Sequence, residues 1–135
     1  MAVRFASLGS GSEGNALLVE SASGTTCTRI LLDCGFGIRE TVRRLERLGC
    51  TPESLNAILV THEHGDHVGS AYAFAAKYNI PVWTSHGTYR ATASLRGADR
   101  AAVRFCRADD VFSVGDLQIL PYTVPHDARE PLQFV

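Results

Sequence analysis

The chain has 135 residues, 45% of them hydrophobic and 20% charged, with a formal net charge of −1. That balance is typical of one ordinary folded domain with enough apolar side chains to build a core, and it excludes a disordered polar chain. Near-neutrality also removes any global field that would draw in nucleic acid or an anionic membrane, so partners have to be argued from local groups.

The first residues carry no continuous apolar stretch of the signal-peptide kind, and no apolar run is long enough to cross a bilayer, so a cytoplasmic location without a membrane partner is expected. Cys27, Cys34, Cys50 and Cys106 show no C-x-x-C spacing and read as reduced core thiols. No repeat, low-complexity tract or linker divides the chain, and residues 1–135 are treated as one domain.

Alternation at Val3, Phe5 and Ser7-Leu8 predicts a first strand running into the turn Gly9-Ser10-Gly11-Ser12-Glu13-Gly14. Residues 16–20 and 29–33 predict two more strands, which makes the opening a β-meander. The period then changes. Ile38, Val42, Leu45 and Leu48 share one helical face, the arginines 39, 43, 44 and 47 lie towards the other, and Gly49 is the natural stop. Thr51-Pro52-Glu53 reads as a short helical turn, with Thr51 capping and Pro52 at its first position. Ala57-Ile58-Leu59-Val60 is a fully apolar run that suits a buried parallel strand. Helical spacing returns at Ala71, Phe74, Ala75 and Tyr78, and Ile80-Pro81-Val82-Trp83 follows as a strand. A further helix is expected over 88–96, then strands over 103–106 and 117–124. Strands leading into helices and back again predict an α/β layered sandwich.

Three of the five histidines, with an aspartate, fall inside His62-Glu63-His64-Gly65-Asp66-His67, directly after the expected buried strand. Loops at the carboxyl ends of strands are where α/β folds place their sites. Imidazole nitrogens and a carboxylate oxygen suit zinc and other first-row divalent ions. A tight loop can aim His62 and His64 at one ion and leave Asp66 and His67 facing a second. A solvated polar loop can also be rich in Asp, His and Gly, but here the strand before and the helix after provide the context a metal motif needs.

The full string Thr61-His62-Glu63-His64-Gly65-Asp66-His67-Val68-Gly69 resembles the T-H-x-H-x-D-H-x-G signature of the metallo-β-lactamase fold superfamily. Leu8-Gly9-Ser10-Gly11-Ser12-Glu13-Gly14-Asn15-Ala16 and Pro125-His126-Asp127-Ala128 are similar to its YycJ (WalJ) subgroup, whose members resemble exonucleases acting on DNA. The resemblance implies an αββα sandwich of which this chain covers the first half or slightly more, with the second half incomplete. It implies two divalent metal ions, zinc favoured over manganese or iron. His62, His64 and His126 would bind the first, and Asp66 and His67 would contribute to the second. On spacing alone His126 is an isolated loop histidine after Pro125, and only the subgroup match makes it a ligand. Asp66 is the expected catalytic residue, orienting the attacking water or taking its proton. Asp33 reads either as a turn carboxylate or, by the resemblance, as the aspartate that orients a ligand from behind.

The pattern's later bridging aspartate and further histidine have no counterpart before Val135. A weakly held second metal and little turnover by this chain alone are therefore expected, together with self-association or a complementing chain at the incomplete sheet. DNA is the partner that the resemblance implies. Rivals on the same scaffold are thioester or lactone hydrolysis and iron-dependent oxygenation. A rival of another class is an inactive metal-binding or assembly module. Ser10, Gly11 and Asn15 could cradle an anion, although a plain hairpin turn is the preferred reading. His86 matches no ligand position and reads as a helix-start residue. Arg90, Arg96, Arg100, Arg104 and Arg107 could follow a phosphate backbone or form a solvated face, and composition alone does not argue for a nuclease.

Overall fold

In the computed structural model of the chain, which describes residues 2–123 and 132–134, six strands form one sheet in the order in which they occur in the sequence. β1 (Ala2–Gly9), β2 (Ala16–Ser23) and β3 (Thr26–Leu32) are the expected antiparallel meander. β4 (Ala57–Leu59), β5 (Val82–Thr84) and β6 (Val103–Phe105) then add in parallel, each after a helical or looped crossover. The crossovers contain α1 (Ile38–Arg47), the short turn Pro52–Ser54, α2 (Gly65–Val68), α3 (Ala71–Tyr78) and α4 (His86–Thr92). Pairing carries one row, Leu18, Leu31, Ile58 and Val82, across to the helical side. The neighbouring row, Leu17, Leu32, Leu59 and Trp83, points to the other side. Both faces of the central strands must therefore be apolar, which is why β4 is apolar throughout and completely buried.

The helical side is the larger core. Leu45 of α1 and Tyr72 and Phe74 of α3 pack with Leu18, Leu31, Ile58 and Val82. The opposite side holds Ile30, Ala57 and Leu59 beneath a hairpin of β7 (Phe112–Val114) and β8 (Leu117–Ile119). Trp83 stacks on Phe112 at 4.3 Å between ring centroids, fastening that hairpin to the sheet. The hairpin covers only part of the face. An apolar hollow of about 410 Å³, lined in part by Val3, Phe5, Leu17, Val19, Leu117 and Phe134, lies beside it, and Phe5 on edge strand β1 is 68% exposed.

Several local expectations are corrected. The strand expected over 117–124 is two strands, β8 and β9 (Pro121–Thr123), and β9 pairs with β10 (Leu132–Phe134); position 124 lies outside the described residues. β7 was not foreseen, because its three residues carry too little alternation. Its turn is legible afterwards: Gly115 takes φ +52 in the two-residue loop between the paired Val114 and Leu117. The helix expected over 88–96 starts earlier, since Ser85 Oγ accepts the Thr88 N–H at 3.1 Å and caps it. His86 is accordingly its first residue. Thr51 makes no side-chain cap; its carbonyl instead accepts from Ser54 N–H and Oγ–H at 3.1 and 2.7 Å. Cys34, Cys50 and Cys106 are buried thiols, whereas Cys27, next to the turn of the β2–β3 hairpin, is exposed.

Glu20 is a polar exception on the helical side, 7% exposed and directly opposite both Arg4 and Arg29 in register. Arg29 Nε donates to its Oε2 at 2.5 Å and the Arg4 guanidinium donates to Oε1. These bonds, that from Arg29 first, hold the carboxyl down from the ordinary 4.5 to about 2. Because the folded-state value is depressed, the stabilisation is complete above the unfolded value and disappears as pH falls from about 4.5 towards 2. Glu20→Gln should therefore lower the urea midpoint at pH 7 and flatten its decline over that acidic window; midpoint curves for the two proteins that run parallel would refute the assignment.

Candidate metal centre

The histidine string occupies the loop from the end of β4 through α2, and its shape depends on a neighbouring loop after β3. Asp33 directly follows β3 in a left-handed conformation, φ +63, with its N–H donated to Leu59 O at 2.7 Å. This turns a 5%-exposed carboxylate towards the start of the histidine loop. Thr61 N–H donates to Asp33 Oδ1 at 2.8 Å, and Thr61 Oγ1 lies 3.1 and 2.9 Å from the two carboxylate oxygens. His67 Nδ1 lies 2.7 Å from Asp33 Oδ2. One buried carboxylate thus holds both ends of the segment 61–67.

The proton inventory then assigns the imidazoles. A carboxylate only accepts, so His67 carries its proton on Nδ1 and its lone pair on Nε2. Thr61 has a single hydroxyl proton, which goes to Asp33. Its contact with His62 Nδ1 at 2.8 Å is therefore an acceptance from Nδ1–H, and this leaves the His62 lone pair on Nε2. Asp33 consequently sets His67 directly and His62 through Thr61. The same bond from His67 to Asp33 raises the His67 pKa above the ordinary imidazole value, with Asp33 and Asp66 adding charge attraction and burial opposing it.

The backbone of the loop is clamped from the other side. Asn15 N–H donates to Asp66 O at 2.8 Å, and Asn15 Nδ2 reaches Asp66 O at 3.0 Å and Asp66 Oδ2 at 3.2 Å. Cys34 N–H donates to His67 O at 2.9 Å and Ser70 N–H to Cys34 O at 3.1 Å. Gly35 sits where these chains cross: a Cβ there would lie 1.9 Å from Asp66 O and 2.7 Å from Asn15 N. The residues 10–15 therefore act as a brace on the histidine loop. Gly35, in Asp33-Cys34-Gly35, was missed as a site residue, and Asn15, weighed only as part of an anion cradle or a plain hairpin turn, holds Asp66 instead.

The result brings four expected ligands together. The His62 ring centroid lies 4.7 Å from that of His64 and 4.0 Å from that of His67, and His67 Nε2 is 3.7 Å from Asp66 Oδ2. His62 is buried while His64, Asp66 and His67 are half-buried. The rings pack edge-on and tilted against one another, and among the described residues no three His, Cys, Asp or Glu donors already converge as a complete ion cage. His126, the remaining expected ligand, lies outside the described residues. The donor chemistry nevertheless fits a divalent ion: imidazoles with defined lone-pair nitrogens stand beside one carboxylate. A cleft of about 240 Å³ opens at His67, with Ser10, Asn15 and Asp33 in its lining.

The family model for the metallo-beta-lactamase superfamily matches residues 9–128. The chain belongs to this superfamily. The chain is 34% identical to exodeoxyribonuclease YycJ of Bacillus anthracis over 133 residues, covering 98% of this chain and 49% of that protein. It is 30% identical to exodeoxyribonuclease WalJ of Streptococcus pneumoniae over 131 residues, covering 95% of this chain and 47% of that protein. The solved Rm3 metallo-beta-lactamase superposes with a TM-score of 0.74 at 19% identity, over 96% of this chain and 52% of that one, a likeness of fold. The chain thus spans about half the length of the relatives it matches. The α/β layering expected from the sequence is that of the metallo-β-lactamase fold.

Two substitutions separate the Asp33 brace from the Gly35 crossing. Asp33→Ala strands the Thr61 N–H and hydroxyl and the His67 Nδ1–H, and each buried donor left unpaired costs about 1–3 kcal/mol. Gly35→Ala forces the Asp66 backbone away and should cost at least about 1–3 kcal/mol as an overpacked site. Chemical denaturation measures both, and a near-neutral result for either would show that the loop is not held in this way.

Proposed function

We propose that the protein to which this sequence belongs is a metal-dependent phosphodiesterase acting on DNA, an exodeoxyribonuclease, with its metal centre at the 61–67 loop. The observation that carries the reading is the gathering of His62, His64 and His67 beside Asp66, with the lone-pair nitrogens of two of the rings set by one buried aspartate. The two exodeoxyribonuclease relatives, each similar over at least 95% of this chain, support the substrate class.

In this reading His62 and His64, with His126, hold one divalent ion, and Asp66 and His67 contribute to a second, zinc being the favoured metal. Bound divalent metal would lower the pKa of a water and stabilise negative charge developing on a phosphodiester. The chain's own groups do the positioning. Asp33 keeps the His67 ring oriented and its Nε2 basic, and Thr61 passes the same constraint to His62. Asn15 holds one Asp66 oxygen, so the carboxylate presents a defined edge for orienting a water or taking its proton. The expectation of a weakly held second metal and slow turnover by this chain alone stands with the proposal. So do a cytoplasmic location and association with a second or complementing chain, which the exposed apolar edge at Val3 and Phe5 favours.

The test is end-labelled linear DNA incubated with the protein from the full reading frame, loaded with zinc or manganese and dialysed, followed by elemental analysis. Retained metal with stepwise release of mononucleotides from an end, abolished by EDTA and lowered at least about 100-fold in His62→Ala, is the expected result. Metal-loaded protein that leaves DNA intact while hydrolysing a thioester or lactone, or one iron with oxygen consumption, would replace the proposal with the corresponding rival. Retained metal with none of these activities would leave the binding-module reading.

A further inference from the structure

The arginines that the sequence leaves between a phosphate track and a solvated face separate in the fold. Arg104, on edge strand β6, lies over the Trp83 ring at 5.6 Å, on the hairpin side of the sheet. Arg96 and Arg100 instead come to the outer side of α3. Gly97, φ +88, permits this: a Cβ there would lie 2.6 Å from Ala73 Cα, so only glycine lets the segment press against the helix backbone. The contact leaves a cleft of about 330 Å³ lined by Ile38, Ala73, Ala76, Lys77, Arg96 and Arg100. A second cleft of about 400 Å³ shares Ile38, Ala73 and Arg96 with the first and opens at Gly69 and Ser70, immediately after the histidine loop.

Three features distinguish this groove from a scattered solvated face. Three cations and no carboxylate line the first cleft, in a chain whose net charge is −1. Among the described residues none of Lys77, Arg96 and Arg100 is in a salt bridge, whereas Arg43 and Arg44 of α1 are both paired with Glu40. Alanine and glycine form much of the floor, leaving room for an extended strand to lie close to α3, which rises about 10 Å between its ends.

We propose that this groove binds the phosphate backbone of a single nucleic-acid strand, with Lys77, Arg96 and Arg100 as its contacts, and guides the strand towards Ser70 and the histidine loop. The inference rests on the DNA-hydrolase reading for its biological purpose, but the binding surface stands or falls separately. Guanidinium groups suit phosphate oxygens through paired N–H donors, and Lys77 adds a point charge. The contacts read backbone and not base, so little sequence preference is expected.

The test measures binding without cleavage: fluorescence anisotropy of a labelled single-stranded oligonucleotide with the 135-residue chain in EDTA, from 50 to 200 mM salt. The variant Lys77→Gln/Arg96→Gln/Arg100→Gln is compared with an Arg90→Gln/Arg104→Gln control, and circular dichroism checks that both fold. The triple variant should bind at least about 10-fold more weakly at low salt, with the slope of log affinity against log salt reduced by about 2, while the control stays near wild type. Equal losses in both variants, an unchanged salt slope, no binding by wild type, or displacement by polyglutamate as effective as by unlabelled oligonucleotide would each overturn the groove. The hydrolysis assay above is independent: cleavage with unaltered binding in the triple variant would refute this surface and leave the proposed activity standing, and binding loss without any cleavage would do the reverse.

Discussion

Asp33 joins the two halves of the site. Its carboxylate lies at the carboxyl end of β3, buried to 5% exposure, and it receives the Thr61 N–H, the Thr61 hydroxyl and the His67 Nδ1–H. A carboxylate removed from water is costly unless its oxygens are satisfied, so the histidine loop and the end of β3 need each other. The parallel pairing of β3 with β4 brings them within reach, because it sets Leu32 beside Leu59, immediately before Asp33 and just ahead of Thr61. Orientation of the imidazoles therefore follows from sheet register.

The second constraint is space. The backbone at Gly35 crosses that at Asp66 so closely that no side chain fits, and Asn15 fastens the crossing by hydrogen bonds to Asp66. Three loops, after β1, β3 and β4, are thereby tied together at one end of the sheet. Such a framework holds functional side chains on short tethers to strands and leaves them little freedom of their own. The helical side of the sheet supplies the rigidity behind it, through Leu31, Ile58 and Phe74, each fully buried. The opposite face is only partly roofed by the β7–β8 hairpin, and its apolar side chains at β1 remain open. The molecule is thus packed more completely on the helical side of the sheet than on the other.

Much of this was legible in the residues. The antiparallel meander, α1, the buried β4 and the helix and strand after it are long or strongly patterned, and a buried parallel strand has to be apolar on both sides, as Ala57-Ile58-Leu59 is. The histidine string announced itself by residue type and by its place after that strand. Short elements were less visible: β7 has three residues, α2 has four, and neither is long enough to show a period. Thr51 looked like a cap, but its carbonyl and not its hydroxyl closes the turn.

What the sequence determined by itself was the inventory: the donors, the carboxylate at the end of an apolar strand, and glycines where chains must meet. Local pattern reaches only a few residues along the chain. The Asp33–His67 bond spans 34 positions and the Asn15–Asp66 bond 51, and the placing of Arg96 and Arg100 beside Lys77 depends on Gly97 meeting Ala73. These relations depend on how strands register and how closely helices pack, so only the tertiary structure decided which nitrogen each of two imidazoles presents and which arginines share a groove.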